Sequence, residues 1–163
     1  MKFIIKAWAV LCVTVLIGCS DTGGNTFGGG AGGGSQGSVD DPTSEAYFEA
    51  SVGDRVFFAV DESVLSAQAR DALDGQATWL NSNADYTVII EGHADEQGTR
   101  EYNLALGARR ANAVREYLIG AGVGGDRIQT LSYGKERPVE ICSLERCYAQ
   151  NRRGVTVLNN IGF

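Results

Sequence analysis

The sequence predicts an α/β domain in which a mixed sheet carries helices, in the element order β-α-β-α-β-β. Three observations predict it. β-branched apolar runs alternate with stretches of helical period, glycines and other turn formers separate them, and 44% hydrophobic residues in a chain of 163 suffice for one core. Residues 55–60 form the first β-rich run. Leu65, Ala69, Ala72, Leu73, Ala77 and Leu80 then recur at helical spacing, with Ser63 or Ser66 available as cap. Residues 86–91 are a continuous β-branched run suited to an interior strand, and residues 92–98 a polar loop. A second helix over 100–119 packs through Leu104, Ala108, Ala111, the stem of Arg115 and Leu118, and stops at Gly120-Ala121-Gly122. Residues 127–133 and 154–158 supply the last two strands, the final one antiparallel. Two strand-helix-strand units call for right-handed crossovers and a partly parallel sheet.

The residues ahead of this domain are of two kinds. Lys2 and Lys6 give a positive start, and residues 7–17 are an uncharged apolar run of eleven, too short for the ~20 residues that cross a bilayer as a helix. This is a secretory signal over 1–18. Its end, Leu16-Ile17-Gly18-Cys19, resembles the bacterial lipobox, in which cleavage precedes a cysteine that carries diacylglycerol and is commonly acylated on its amino group. Each buried methylene of such chains contributes about 0.8 kcal/mol, so Cys19 is the expected lipid anchor. Ser20 after it resembles lipoproteins sent to the outer membrane. Nine of the 22 glycines fall between Ser20 and Ser38, so residues 19–44 have almost nothing to bury and are expected to form a flexible tether. Its r.m.s. span is roughly 25 to 30 Å. The domain then occupies 45–163.

Charge excludes one class of partner. With 14 basic and 20 acidic residues the net charge is -6, and loss of the two leader lysines makes it -8. Nonspecific nucleic-acid binding needs a basic surface that releases counterions, so no nucleic-acid partner is expected. Arg152-Arg153 is accordingly read as a solvated or salt-bridged lead into the last strand. Cys142 and Cys147 lie in the exported part, where a disulfide is the economical reading. So small a loop is stabilised by only about 2 kcal/mol, which is local stapling. A metal site would need two more ligands, and none is expected. His93, Asp95 and Glu96 sit within four residues of one loop with no nucleophile in support, so catalysis is not expected either. His93 is read as a loop residue that hydrogen-bonds the backbone.

On a helical wheel, Asn103, Leu106, Gly107 and Arg110 share a face about 110° from the apolar stripe named above. That face carries an amide, a flat apolar spot, a glycine that admits a ligand, and a guanidinium, while the preceding loop brings Asp95 to the same end. A carboxylate selects an ammonium and a guanidinium selects a carboxylate, so the pair suits the zwitterionic head of an amino acid. The bland alternative is a surface ion pair between Asp95 and Arg110, worth about 0 to 1 kcal/mol. In either case the reading expects Asp95→Ala and Arg110→Ala to leave the thermal midpoint nearly unchanged.

The motifs Glu91-Gly92-His93-Ala94-Asp95-Glu96-Gln97-Gly98-Thr99, Glu101-Tyr102-Asn103, Arg109-Arg110-Ala111-Asn112-Ala113-Val114, Ser132-Tyr133-Gly134-Lys135-Glu136-Arg137-Pro138 and Asn151-Arg152-Arg153 follow one another in order. Together they resemble the OmpA-like peptidoglycan-binding domain family, and within it the lipid-anchored proteins of the Tol-Pal system. The likeness runs from about residue 56 to 158. It implies an OmpA-like sandwich of mixed sheet and helices, no cofactor, and binding to the diaminopimelate of peptidoglycan stem peptides. The family's aspartate and second arginine fall on Asp95 and Arg110, its helix-face asparagine and leucine on Asn103 and Leu106. Backbone amides near Gly98 complete the hydrogen bonds. The Phe-Asp pair that lines the family's pocket is here Val60-Asp61, so the aspartate is present and the aromatic wall is not. The Cys142 to Cys147 insertion also departs from the common pattern. The resemblance further implies peptidoglycan and TolB, a periplasmic β-propeller protein, as partners that exclude one another, and the other Tol-Pal components beside them.

Overall fold

Four strands, ordered β1-β4-β2-β3, build one mixed sheet in the computed structural model, which describes residues 37–160. The leader, Cys19 and most of the glycine-rich segment lie outside the described residues. β1 (Arg55–Phe57) pairs antiparallel with β4 (Arg153–Asn160), β4 antiparallel with β2 (Tyr86–His93), and β2 parallel with β3 (Ile128–Gly134). The antiparallel final strand is as expected from sequence, and it is inserted between the first two. β1 is shorter than the run predicted for it, because the chain turns away after Phe57 to make the wall of a hollow. Between β3 and β4 lies a helix that the sequence reading missed, giving β-α-β-α-β-α-β.

α1 (Ala67–Ser82) starts where Ser66 accepts a hydrogen bond from the Ala69 amide, the expected cap. It buries Ala69, Leu73, Ala77 and Leu80, four of the residues that its period singled out. α2 (Arg100–Gly120) is capped by Thr99, and the chain turns out of it at Gly122, whose φ of 96° is the left-handed conformation that glycine adopts freely. The core closes on Phe48, Leu73, Leu80, Ile90, Ala111 and Leu118, each with no accessible surface.

The buried side of α2 differs from the stripe read on the wheel. Leu104 is 48% exposed and Ala108 is exposed, whereas Asn103, Leu106, Gly107, Arg110, Ala111, Val114 and Leu118 are buried. The face assigned to a ligand is therefore the face that meets the sheet. Gly107 is needed there for contact with protein: a Cβ on it would lie 2.4 Å from Ser132 Oγ and 2.7 Å from the Gly92 carbonyl oxygen.

The domain also begins earlier than residue 45. Residues 38–44 turn back on themselves, Ser44 is buried, the Trp79 indole N–H donates to Pro42 O at 2.8 Å, and the Tyr86 hydroxyl donates to Thr43 O at 3.0 Å. Phe48, Trp79 and Tyr86 stack in a tilted row behind these bonds. α3 (Glu145–Asn151) is tied to the loop before it by the disulfide between Cys142 in that loop and Cys147 in the helix, their sulfurs 2.06 Å apart.

Candidate functional site

The C-terminal ends of β2 and β3 hold one loop, residues 94–99, against the first turn of α2. The Ala94 amide donates to Gly134 O at 2.8 Å, and Lys135 Nζ donates to Gly98 O at 2.6 Å and Glu96 O at 3.3 Å. Asn103 Nδ2 donates to Gln97 O at 2.7 Å. Gly98 has a φ of 88°, so the loop reverses where a side chain would be strained. Two loops and one helix face, each tied to the sheet, thus surround a hollow of about 220 Å³.

Asp61, Asp95, Gly98, Asn103, Leu106 and Arg110, the six residues named from the sequence, all line this hollow, together with Val60, Gln97 and Tyr102. Their mutual arrangement is not the one expected. Asp95 and Arg110 do not form an ion pair. Asp95 Oδ1 accepts from the Gln97 amide at 3.1 Å, and Oδ2 accepts from Arg152 Nη1 at 3.1 Å. Arg110 has no accessible surface and forms the floor. Its Nε donates to Glu62 O at 2.7 Å, Nη1 to His93 O at 2.8 Å and Nη2 to Ala59 O at 3.0 Å, with the guanidinium 5.2 Å above the Phe58 ring centre. Three of its five N–H groups are committed to backbone carbonyls, and two remain. Burial lowers its pKa from the usual guanidinium range to about 10, partly opposed by the charge of Asp95, so it stays cationic at neutral pH. This guanidinium ties three segments together, so Arg110→Ala is expected to destabilise the fold, contrary to the thermal neutrality expected from sequence.

The wall on the β1 side is completed from elsewhere. Val60 is 58% exposed at the rim, and the aromatic surface comes from Tyr102, whose hydroxyl donates to the Asp61 carboxylate. Asp61 has a φ of 59°, a conformation that non-glycine residues seldom hold without a local reason. Tyr102 was overlooked although it precedes Leu106 by four positions and so shares its side of the helix.

His93 ends β2 and is buried, with neither ring nitrogen hydrogen-bonded; the imidazole stacks on Tyr133 at 5.5 Å. Contrary to the expectation from sequence, its side chain hydrogen-bonds no backbone group, and only its carbonyl takes part, under Arg110. Burial first, then the charges of Arg153 and Arg137, lower its pKa from 6.5 to about 4. The Glu91 carboxylate lies 3.4 Å from Nε2 and does not outweigh them. The unfolded chain consequently takes up this proton first as pH falls. Stability is full above 6.5 and declines by up to about 3 kcal/mol between 6.5 and about 4. Chemical denaturation of the parent and of His93→Phe across this window checks it: the variant is expected to show a shallower decline, and equal slopes contradict the assignment.

Arg152 and Arg153 are salt-bridged or hydrogen-bonded but not solvated, being 4% and 5% exposed. Arg152 bridges Asp95 and Glu145, and Arg153 donates to Asn151 O and Arg137 O. Among the described residues no group of His, Cys, Asp and Glu is placed to hold a metal ion, and no helix is long and apolar enough to cross a membrane.

What such a hollow can do is hold a small dipolar group, since a carboxylate and a guanidinium both belong to its lining. The OmpA family model matches residues 57–152. The peptidoglycan-associated lipoprotein of Rhizobium meliloti is 55% identical over 121 residues, covering 74% of this chain and 69% of that protein. That of Agrobacterium fabrum is 46% identical over 171 residues, covering 99% and 93%. The crystal structure of the peptidoglycan-associated lipoprotein from Burkholderia pseudomallei is 38% identical and superposes with a TM-score of 0.66, over 74% of this chain and 98% of that one. These relatives are named for an association and not for a reaction. With its mixed sheet, its two long helices and this extent of match, the chain belongs to the OmpA family.

Proposed function

We propose that the chain is an outer-membrane lipoprotein that binds peptidoglycan without covalent linkage, tethers the membrane to the wall, and does so by holding the diaminopimelate of stem peptides in the hollow. The observation that carries this reading is that a carboxylate, Asp95, and a guanidinium, Arg110, line one hollow without being paired to each other. Diaminopimelate presents an ammonium and a carboxylate on its outer carbon. Asp95 accepts from the first and Arg110 donates to the second, while Leu106 and Tyr102 pack against the methylenes. Asp61 adds a second acceptor at the mouth, and the backbone at Gly98 and the Asn103 amide frame the peptide. Each charged hydrogen bond nets about 1.5 to 3 kcal/mol and Asp95 is already partnered, so one site is weak. Many lipid-anchored copies facing a continuous polymer raise the avidity while each contact stays exchangeable. The relatives' names support peptidoglycan as the ligand. Action within the Tol-Pal system, with TolB as an exclusive partner and a part in outer-membrane invagination at cell division, belongs to the same proposal, as does the anchor on Cys19.

The test is a titration followed by amide chemical shifts. A stem peptide ending in diaminopimelate is expected to shift the amides of residues 95–98 and 103–110 and to bind roughly 10-fold or more tightly than its lysine counterpart, which lacks the outer carboxylate. Equal affinities would remove Arg110 from the role. In cells, Cys19→Ala is expected in the soluble periplasmic fraction, and its persistence in membranes overturns the anchor.

A further inference from the structure

Arg152 does not line the hollow, yet it is the side chain that fixes Asp95. It is buried between three segments. Nε donates to Phe58 O at 3.3 Å, Nη1 to Asp95 Oδ2 at 3.1 Å, and Nη2 to the carboxylate of Glu145. It is also the residue at which α3 ends and β4 begins, so its backbone is held while its planar fork reaches outward. An aspartate on a loop otherwise samples several staggered rotamers. Two donors from different directions, the Gln97 amide on Oδ1 and this guanidinium on Oδ2, leave one. Glu145 stands in the first turn of α3, inside the loop closed by Cys142 and Cys147. The bonded loop therefore presents Glu145 to Arg152, and Arg152 presents Asp95 to the hollow.

We propose that Arg152 is a positioning residue for ammonium recognition: it touches no ligand, fixes the orientation of the Asp95 carboxylate, and is itself held by Glu145. This rests on the diaminopimelate reading above. A merely structural arginine would weaken every ligand alike, whereas one acting through Asp95 affects only ligands that carry the ammonium.

The experiment titrates the full mature chain with two peptides, the diaminopimelate stem peptide and an analogue whose outer ammonium is replaced by hydrogen while the carboxylate is kept. Arg152→Gln is expected to weaken the first about 10-fold and leave the second unchanged, and Arg152→Lys, which keeps the charge but lacks the fork, to restore only part of the loss. Combined with Asp95→Asn, it adds nothing further. Equal weakening of both peptides, or of neither, overturns the proposal. Should Arg152→Gln not fold, Glu145→Gln decides, since that side chain is 66% exposed. It is expected to weaken the ammonium-bearing peptide alone by about 2- to 3-fold, and parental affinity for both peptides overturns the proposal. Failure of the parent chain to bind the diaminopimelate peptide instead counts against the proposed function. A crystal structure of Arg152→Gln separates the two cases without ligand, because an unmoved Asp95 carboxylate refutes positioning by itself.

Discussion

Arg110→Ala is expected to eliminate binding of the diaminopimelate peptide and to lower folding stability by about 3 to 5 kcal/mol, since three carbonyls lose charged hydrogen bonds and each buried acceptor left unsatisfied costs about 1 to 3 kcal/mol. The carbonyls of Ala59, Glu62 and His93 lose their donor together, and the Phe58 ring loses the guanidinium stacked over it. No solvent screening reduces this loss, since the side chain has no accessible surface. For a domain of this size the thermal midpoint falls on the order of 10 to 20 °C. Arg110→Lys retains the charge but lacks the planar fork, so it recovers only part of the stability and little of the carboxylate recognition. Urea denaturation checks the first claim. A midpoint for Arg110→Ala within error of the parent would mean that the three carbonyl contacts contribute nothing net.

Gly92→Ala is expected to cost about 3 kcal/mol or more and to leave little folded protein at 37 °C. The added Cβ would stand 1.8 Å from the Gly107 carbonyl oxygen and 2.6 Å from its carbon. Both are backbone atoms inside a helix, so no rotamer relieves the overlap and α2 must shift as a body. That shift carries Asn103, Leu106 and Arg110 with it, and peptide binding falls even in the fraction that folds. The readout is far-ultraviolet circular dichroism with thermal melting, and a midpoint within a few degrees of the parent contradicts the close approach. Gly124→Ala is a useful contrast, because its Cβ would meet the end of the flexible Asp126 side chain instead.

The strands were legible because β-branched runs such as Val88, Ile89 and Ile90 admit few alternatives, and α2 because glycines close it at one end. The orientation of α2 was not. A hydropathy wheel assumes that buried means apolar, whereas Asn103, Gly107 and Arg110 face inward, the two polar ones bonded to backbone carbonyls of Gln97, Ala59, Glu62 and His93. Asn103, Leu106 and Arg110 do line one hollow, but the reason for grouping them, a face spare from the core, was wrong, and Gly107 packs against Ser132 and Gly92 instead. α3 escaped notice because it has seven residues and no side-chain cap. Arg152 could not be tied to Asp95, which lies 57 positions away and is brought near only when β4 inserts beside β2.

The attachment of residues 38–44 has a mechanical meaning. These residues are latched to Trp79 and Tyr86, at the start of β2, whereas the hollow opens beyond His93, where β2 ends. If the amino-terminal side is pulled toward a membrane while the hollow grips the wall, the load enters one end of this central strand and leaves by the other. β2 is bonded to a neighbour along each edge, so the force acts across the rungs of both ladders at once, in shear, and does not peel them open singly. In that proposed arrangement the ligand contact is expected to release before the fold does.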